Sequence, residues 1–186
     1  MTEEQIRAAH VTEPARLDGP VFLAEYDPDW PVRFEREAAR IRTALGDRIL
    51  RLEHTGSTSV PGLAAKPIID MMLVVADTRD EAAYVPALVA AGYRLVIREP
   101  DWHEHRLFKG PDTNINLHVH PPESPEIERE LAFRDWLRTH AEDRELYERT
   151  KRELAARTWD YVQNYADAKG AVIEPILERA LAAQRG

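Results

Sequence analysis

The segment GSTSVPGLAAKPIID, from Gly56 to Asp70, sets a glycine, three hydroxyl side chains, a lysine and a carboxylate close together along the chain. Backbone N–H groups at a Gly/Ser turn can ring an anion, and Ser57, Thr58 and Ser59 add hydroxyl donors. Gly56 to Ser59 therefore read as a phosphate-binding turn, with Lys66 as its counter-charge. The turn is not a P-loop. The pattern G-x-x-x-x-G-K-[ST] is absent, and Lys66 precedes a strand instead of opening a helix, which argues against that class of ATPase. The competing account is a Ser/Pro/Gly turn that only joins two strands and leaves Lys66 in solvent. Asp70 weighs toward chemistry, because a carboxylate inside PIIDMMLVV is costly to bury unless a metal or a cation compensates it. Mg²⁺ or Mn²⁺ held between Asp70 and the phosphates of a nucleotide is the functional reading, and a structural ion pair is the alternative. Asp70, Ser57 and Lys66 are the candidate catalytic residues.

A second set of donors lies further along. His103 and His105 in HEHRLF, and His118 and His120 in NLHVHP, share a face if each segment is extended, and a hairpin between them would bring the pairs together. Imidazoles joined to Asp70 suit Zn²⁺, Mn²⁺ or Fe²⁺ better than Mg²⁺. Histidines that merely cap a sheet edge are the alternative. Asn116 falls on the same face and suits a ribose or a water. Arg106, in the apolar RLF, can meet a phosphate bidentately or sit exposed on a strand. Glu53 and His54 precede the turn as base, ligand or buried strand end. Arg134 and Arg138 are spaced as a phosphate clamp or a solvated helix face, and Tyr147 with Lys151 form a further pair.

The elements that must position these residues follow from periodicity and breakers. Residues 1–20, with Pro14, Gly19 and Pro20, read as a polar leader, frayed or briefly helical. VFLAEYDPDW predicts a short strand and a turn. A helix follows from Pro31 to Leu45, ended by Gly46. RILRLEHTG and KPIIDMMLVVA predict strands on either side of the turn. DEAAYVPALVAAG predicts a helix, Tyr93 to Ile97 a strand, and HEHRLFKG with TNINLHVHP a hairpin turning at Gly110 to Asp112. From Pro125 three helical segments follow, the last kinked or opened at Pro175, with Phe133, Trp136 and Leu137 expected in the core. The expected fold is α/β (α+β): one domain over residues 21–186, with a mixed β-sheet flanked by helices over 21–124 and a C-terminal helical cap over 125–186.

Composition narrows the partners. A net charge of −8 disfavours a broad nucleic-acid surface, so a small phosphorylated ligand is expected. No cysteine is present, which excludes thiolate metal sites and disulfides. No apolar run approaches the length of a membrane span, and MTEEQIRAAH lacks a signal-peptide pattern, so a cytoplasmic location is expected. Nothing in the pattern sets an oligomeric state.

Together, YDPDW, EHTGSTSVPGLAAKPIIDMMLVV, GYRLV, NINLHVHP, FRDWLRTH and YERTKRELA resemble the GrpB family (UPF0157 type) of the nucleotidyltransferase-like superfamily, over roughly residues 21 to 182. The resemblance implies a nucleotidyltransferase-like mixed sheet that presents a Gly-Ser turn and a carboxylate strand to a nucleotide. Gly56 and Ser57 fall on the Gly-Ser signature, Asp70 on the first acidic position, and His118 and His120 on the family's His-x-His segment. It also implies transfer of a nucleotidyl group to an acceptor. The superfamily's Asp-x-Asp is broken, since Met72 stands where the second carboxylate belongs and cannot supply a hard oxygen. Metal-dependent hydrolysis or condensation at a His/Asp site, and nucleotide binding without turnover, are the rival readings. Similar domains occur fused to a dephospho-coenzyme A kinase, and the kinase P-loop is absent from this sequence.

Overall fold

The apolar run after Lys66 becomes a central strand, and the other elements are distributed over its two faces. The computed structural model describes residues 1–14, 16–112 and 114–185. In chain order the elements are α1 (Glu3–Ala9), β1 (Arg16–Gly19), α2 (Asp29–Leu45), β2 (Arg51–Thr55), β3 (Ile69–Val74), α3 (Glu81–Ala90), β4 (Arg94–Glu99), β5 (His105–Lys109) and β6 (Ile115–His120). The cap follows as α4 (Pro125–Thr139), α5 (Ala141–Ala155), β7 (Trp159–Tyr161), α6 (Val162–Ala168) and α7 (Gly170–Gln184). Five strands form a mixed sheet in the order β2-β3-β6-β5-β4. Among the described residues only β3 and β6 run parallel, which requires the crossover that α3 and the β4–β5 hairpin supply.

Strand alternation decides what each face does. Ile69, Met71 and Leu73 of β3 pack with Leu117, Val119 and Phe108 beneath Ile41 of α2 and Leu88 of α3. Asp70, Met72 and Val74 point the other way, where Met72 and Val74 meet Ile127 and Leu131 of α4. The long loop between β2 and β3 is wedged between sheet and cap: Val60 and Leu63 are buried against Leu137, Tyr147 and Ile176. Phe133 and Trp136 pack at the margin of that cluster. No helix among the described residues is long and apolar enough to cross a membrane.

Four local expectations need correction or narrowing. Of the two readings of the first twenty residues the brief helix holds, as α1, and the frayed one does not: Ile6 is buried, the Val11 N–H donates to the Val96 carbonyl beside β4, and β1 pairs antiparallel with β7. The apolar Ile6 and an open sheet edge at β4 explain why this segment docks. VFLAEYDPDW is not a strand, because its chain lies beside the loop and finds one isolated bridge, Ala24 to Ala65. His103 does not share a strand face with His105. β4 and β5 are themselves an antiparallel hairpin whose turn takes up residues 100–104, and His103 and Glu104 both adopt φ of 53° there. Pro175 does not open its segment, since α7 continues from Gly170 to Gln184 and proline there costs one intrahelical bond. Thr113 at the start of the predicted second hairpin strand, Ala15 in the leader and Gly186 at the cap's end lie outside the described residues.

His54 shows how the helix-covered face resists protonation. Its ring stacks on Phe34 at 4.8 Å and its Nε2 meets Thr58 Oγ1 at 3.0 Å. Burial, followed by the charges of Arg138 and Arg134, pushes its pKa down to about 4. The unfolded chain, at about 6.5, takes up this proton first as pH falls, so the stability present above pH 6.5 is lost progressively toward pH 4. A displacement of this size is equivalent to about 3 kcal/mol. Thermal melts between pH 7 and pH 4 should therefore show a falling Tm, and His54→Gln should flatten the profile in that window; an unchanged pH dependence would contradict the assignment.

Candidate functional site

Gly56 adopts φ 64° and ψ −175°, a backbone region that side chains rarely tolerate. The chain thereby reverses directly against β3, and a Cβ added at Gly56 would lie 2.4 Å from Asp70 Oδ2. A short 3-10 turn, Ser57–Ser59, follows. Two of its three hydroxyls are consumed in holding it: Ser59 Oγ donates to the Gly56 carbonyl at 2.6 Å and Thr58 Oγ1 to the Ile68 carbonyl at 3.2 Å. Thr58 and Ser59 are both buried. Ser57 alone of the three meets the cap, where Lys151 Nζ lies 3.2 Å from its Oγ. From α4, Arg138 donates twice to the Ser59 carbonyl, at 2.8 and 3.1 Å, and Arg134 donates to the His54 carbonyl at 3.0 Å and to Glu53 at 2.9 Å. Arg134 is mostly buried, while Arg138 keeps the solvated helix position that the spacing allows. They staple the turn to the cap.

Asp70 is placed by the β3–β6 register, opposite Asn116. Asn116 Nδ2 donates to Asp70 Oδ1 at 2.8 Å, and Lys109 Nζ donates to Asn116 Oδ1 at 2.5 Å. Three lysines feel the Asp70 carboxylate: Lys66 from the loop, Lys109 from β5 and Lys169 from the junction of α6 and α7. Burial nevertheless lowers the pKa of each, and Lys66 is lowered further by Lys169. Lys66 and Lys169 both sit over the Tyr165 ring, 5.6 and 5.1 Å from its centroid. Lys151, fully buried, donates to the Ala64 carbonyl and lies 4.8 Å from the Tyr147 ring centre. Burial first, then Lys169, brings its pKa down to about 7. Glu148 partly offsets this, but its carboxylate is already held by Arg152 and the Ala64 N–H. The Asp70 carboxylate thus faces three lysines in a partly desolvated place, with Lys151 next to them through Lys169 and Ser57. Such an excess of buried positive charge is unfavourable until an anion joins it.

Beyond Asp70 the same sheet face carries the histidines. His118 Nε2 is 3.9 Å from Asp70 Oδ1, and His118 Nδ1 is 3.0 Å from His105 Nε2. His120 is fully buried opposite Val74, away from Asp70, with its Nε2 3.7 Å from Glu130 Oε1 of α4. Burial pushes the Glu130 carboxyl up, and the nearness of His120 and His118 more than reverses it. Burial, followed by His118 and His120, holds His105 well below the usual histidine value.

The structure brings together Gly56, Ser57, Lys66, Asp70, Asn116 and His118, while Thr58 and Ser59 support the turn from below. It does not bring Arg106. That side chain lies on the opposite sheet face, buried, and donates to Glu81 at 2.9 Å and Glu104 at 3.2 Å. His54 also faces the α2 side. Met72 is confirmed on the Asp70 face but sealed in the apolar contact with α4. Lys109, Lys169 and Glu130 were not singled out from sequence. Lys109 carries a signal, since it alternates with His105 and Leu107; Lys169 closes a short helix and has none.

Comparison with known proteins adds the following. A family model described as GrpB protein matches residues 20–179. A UPF0157 protein of Halalkalibacterium halodurans is 55% identical over 179 residues, covering 96% of this chain and 92% of that protein. One from Streptomyces coelicolor is 44% identical over 183 residues, covering 96% of each. A dephospho-CoA kinase of Mycolicibacterium paratuberculosis is 30% identical in an alignment of 176 residues that covers 81% of this chain but only 43% of that protein. The crystal structure of the conserved protein GrpB from Enterococcus faecalis matches with a TM-score of 0.78 at 32% identity, covering 89% of this chain and 100% of that one.

The glycine contact makes a direct prediction. Gly56→Ala adds a methyl group where Asp70 stands and holds alanine in a glycine-only conformation, a backbone cost of about 1–3 kcal/mol before any displacement. A lowered Tm is expected, with loss of whatever ligand the wild-type site binds; a variant that melts and binds like wild type would show that the close approach is dispensable.

Proposed function

The chain belongs to the GrpB family, and from that premise we propose that it binds a nucleotide or another phosphorylated small molecule between the Gly56–Ser57 turn and the lysines, with Mg²⁺ or Mn²⁺ on Asp70. The observation that carries this reading is the charge imbalance: Lys66, Lys109 and Lys169 act on the single carboxylate of Asp70 beside a glycine turn, and Lys151 adjoins them through Lys169 and Ser57. Phosphate oxygens supply the missing negative charge, and a divalent ion lets Asp70 and phosphate share one place without repulsion. Asn116 holds the Asp70 carboxylate by one oxygen and leaves Oδ2 toward the turn. Nucleotides are cytoplasmic metabolites, so the reading carries a cytoplasmic location with it.

The finer proposal is transfer of a nucleotidyl group: an acceptor hydroxyl or amine attacks the α-phosphorus of a nucleoside triphosphate and diphosphate leaves, its charge met by the lysines. Met72 favours a second reading, binding without transfer, because the strand position of a second metal-binding oxygen is occupied by an apolar side chain. Release of diphosphate in the presence of candidate acceptors separates the two.

The binding test is a thermal-shift and calorimetric comparison of the four nucleoside triphosphates with Mg²⁺ or Mn²⁺, in wild type, Asp70→Asn and Lys169→Met. A metal-dependent rise in Tm is expected, lost in Asp70→Asn, weakened in Lys169→Met and reduced by salt. No response to any triphosphate, or to inorganic triphosphate, would overturn the proposal.

Lys151 supplies an independent check. It is faced by Lys169, Arg152, Glu148, Tyr147 and the Ser57 hydroxyl, and its pKa of about 7 leaves it largely neutral at pH 8. A bound anion favours the ammonium form and raises that pKa, so binding at pH 8 should take up a proton and binding at pH 6 should not. Calorimetry in buffers of different ionisation enthalpy reads this directly. Lys151→Arg, which is always charged, should bind without the uptake.

A further inference from the structure

Separately from any ion on Asp70, we infer that His105, His118, His120 and Glu130 form a transition-metal site of the Zn²⁺ class. Each of the three rings offers a nitrogen such that all three lie within 4.8 Å of one another. Donor atoms in a tetrahedral zinc complex, with bonds of about 2.0–2.1 Å, stand about 3.4 Å apart. His105 Nε2 and His118 Nδ1, at 3.0 Å, are already close to that spacing, and small ring rotations bring in the third.

The remaining nitrogens of His105 and His120 are turned outward to oxygens that orient the rings. His105 Nδ1 meets Glu99 Oε2 at 2.7 Å, and His120 Nδ1 meets Ser124 Oγ at 3.3 Å. This arrangement of imidazole backed by carboxylate or hydroxyl is how proteins orient metal-bound histidines. His120 Nε2 is the atom that an isolated hydrogen-bond network fails to explain: it is buried without a hydrogen-bond partner, and Glu130 Oε1 stands 3.7 Å away, too far to bond it directly. A cation between nitrogen and carboxylate satisfies both. Three imidazoles and one carboxylate select Zn²⁺, or Mn²⁺ and Fe²⁺, over Mg²⁺. The histidine pair predicted from the His-x-His segment is thus completed by His105 and Glu130, and not by Asp70. Trp102 lies over the cluster, its ring 5.2 Å from His105 and 6.5 Å from His120, and reports on occupancy.

Chelator-treated protein titrated with Co²⁺, without nucleotide, tests the site. One equivalent should produce the intense visible bands of four-coordinate Co²⁺ and quench Trp102 fluorescence, and Zn²⁺ should displace it. His120→Ala and His105→Gln should abolish the bands, Glu130→Gln should weaken Co²⁺ affinity about tenfold or more, and Asp70→Asn should leave them intact. Circular dichroism of each variant separates lost binding from lost folding, and Trp102→Phe should remove the quenching while keeping the bands. Absence of the bands in folded wild type, their survival in folded His120→Ala, or their loss in Asp70→Asn alone would overturn the inference. Because no nucleotide is present, this result is independent of whether the lysine site binds phosphate.

Discussion

The contact on which the site depends is between a carboxylate and a residue with no side chain. Asp70 occupies the volume that any other residue at position 56 would need for its Cβ. Through that contact the end of β2 and the start of β3 are brought closer than an ordinary turn allows. The rest of the loop follows from keeping that approach. Thr58 and Ser59 tie the turn to its own carbonyls, Arg134 and Arg138 tie it to α4, and Val60 and Leu63 wedge it under the cap. Hydrogen bonds to charged groups contribute on the order of 1.5–3 kcal/mol each, so the arginines are a substantial part of what holds the turn in place.

The sheet and the cap bring opposite charges to this point. The sheet offers Asp70 with Asn116 behind it. The loop and β5 contribute Lys66 and Lys109, and the cap contributes Lys151 and Lys169, all of them depressed in basicity by burial. Hydrophobic residues of similar volume would pack here without the desolvation cost that these lysines carry.

Much of this was legible in the chain, and the gaps have physical reasons. The period of two in β3 placed Asp70 and Met72 on one face correctly. The glycine turn and the His-x-His segment were recognisable because their chemistry is local. Arg106 was misplaced because adjacent strand residues face opposite ways, and only the pairing of Lys109 with Asn116 decides which of His105 and Arg106 looks toward Asp70. His103 was misplaced because a turn of two residues with positive φ interrupts the alternation just before β5 begins. Glu130 and Lys169 were invisible for a different reason. Each reaches the site across a tertiary contact between cap and sheet, which no spacing along the chain encodes.

The pairing of β1 with β7 has a consequence for how the molecule reaches this state. Arg16 and Tyr161 are joined across roughly 145 residues of intervening chain, and Glu3 reaches Tyr161 over a similar span. Closing so long a loop carries an entropic cost that only nearly complete packing can offset, so this strap is a late event in folding. β7 runs directly into α6, at whose end Lys169 lies. The sheet with its carboxylate can therefore form first, while Lys169 arrives with the final closure, and the full set of charges around Asp70 exists only in the assembled protein.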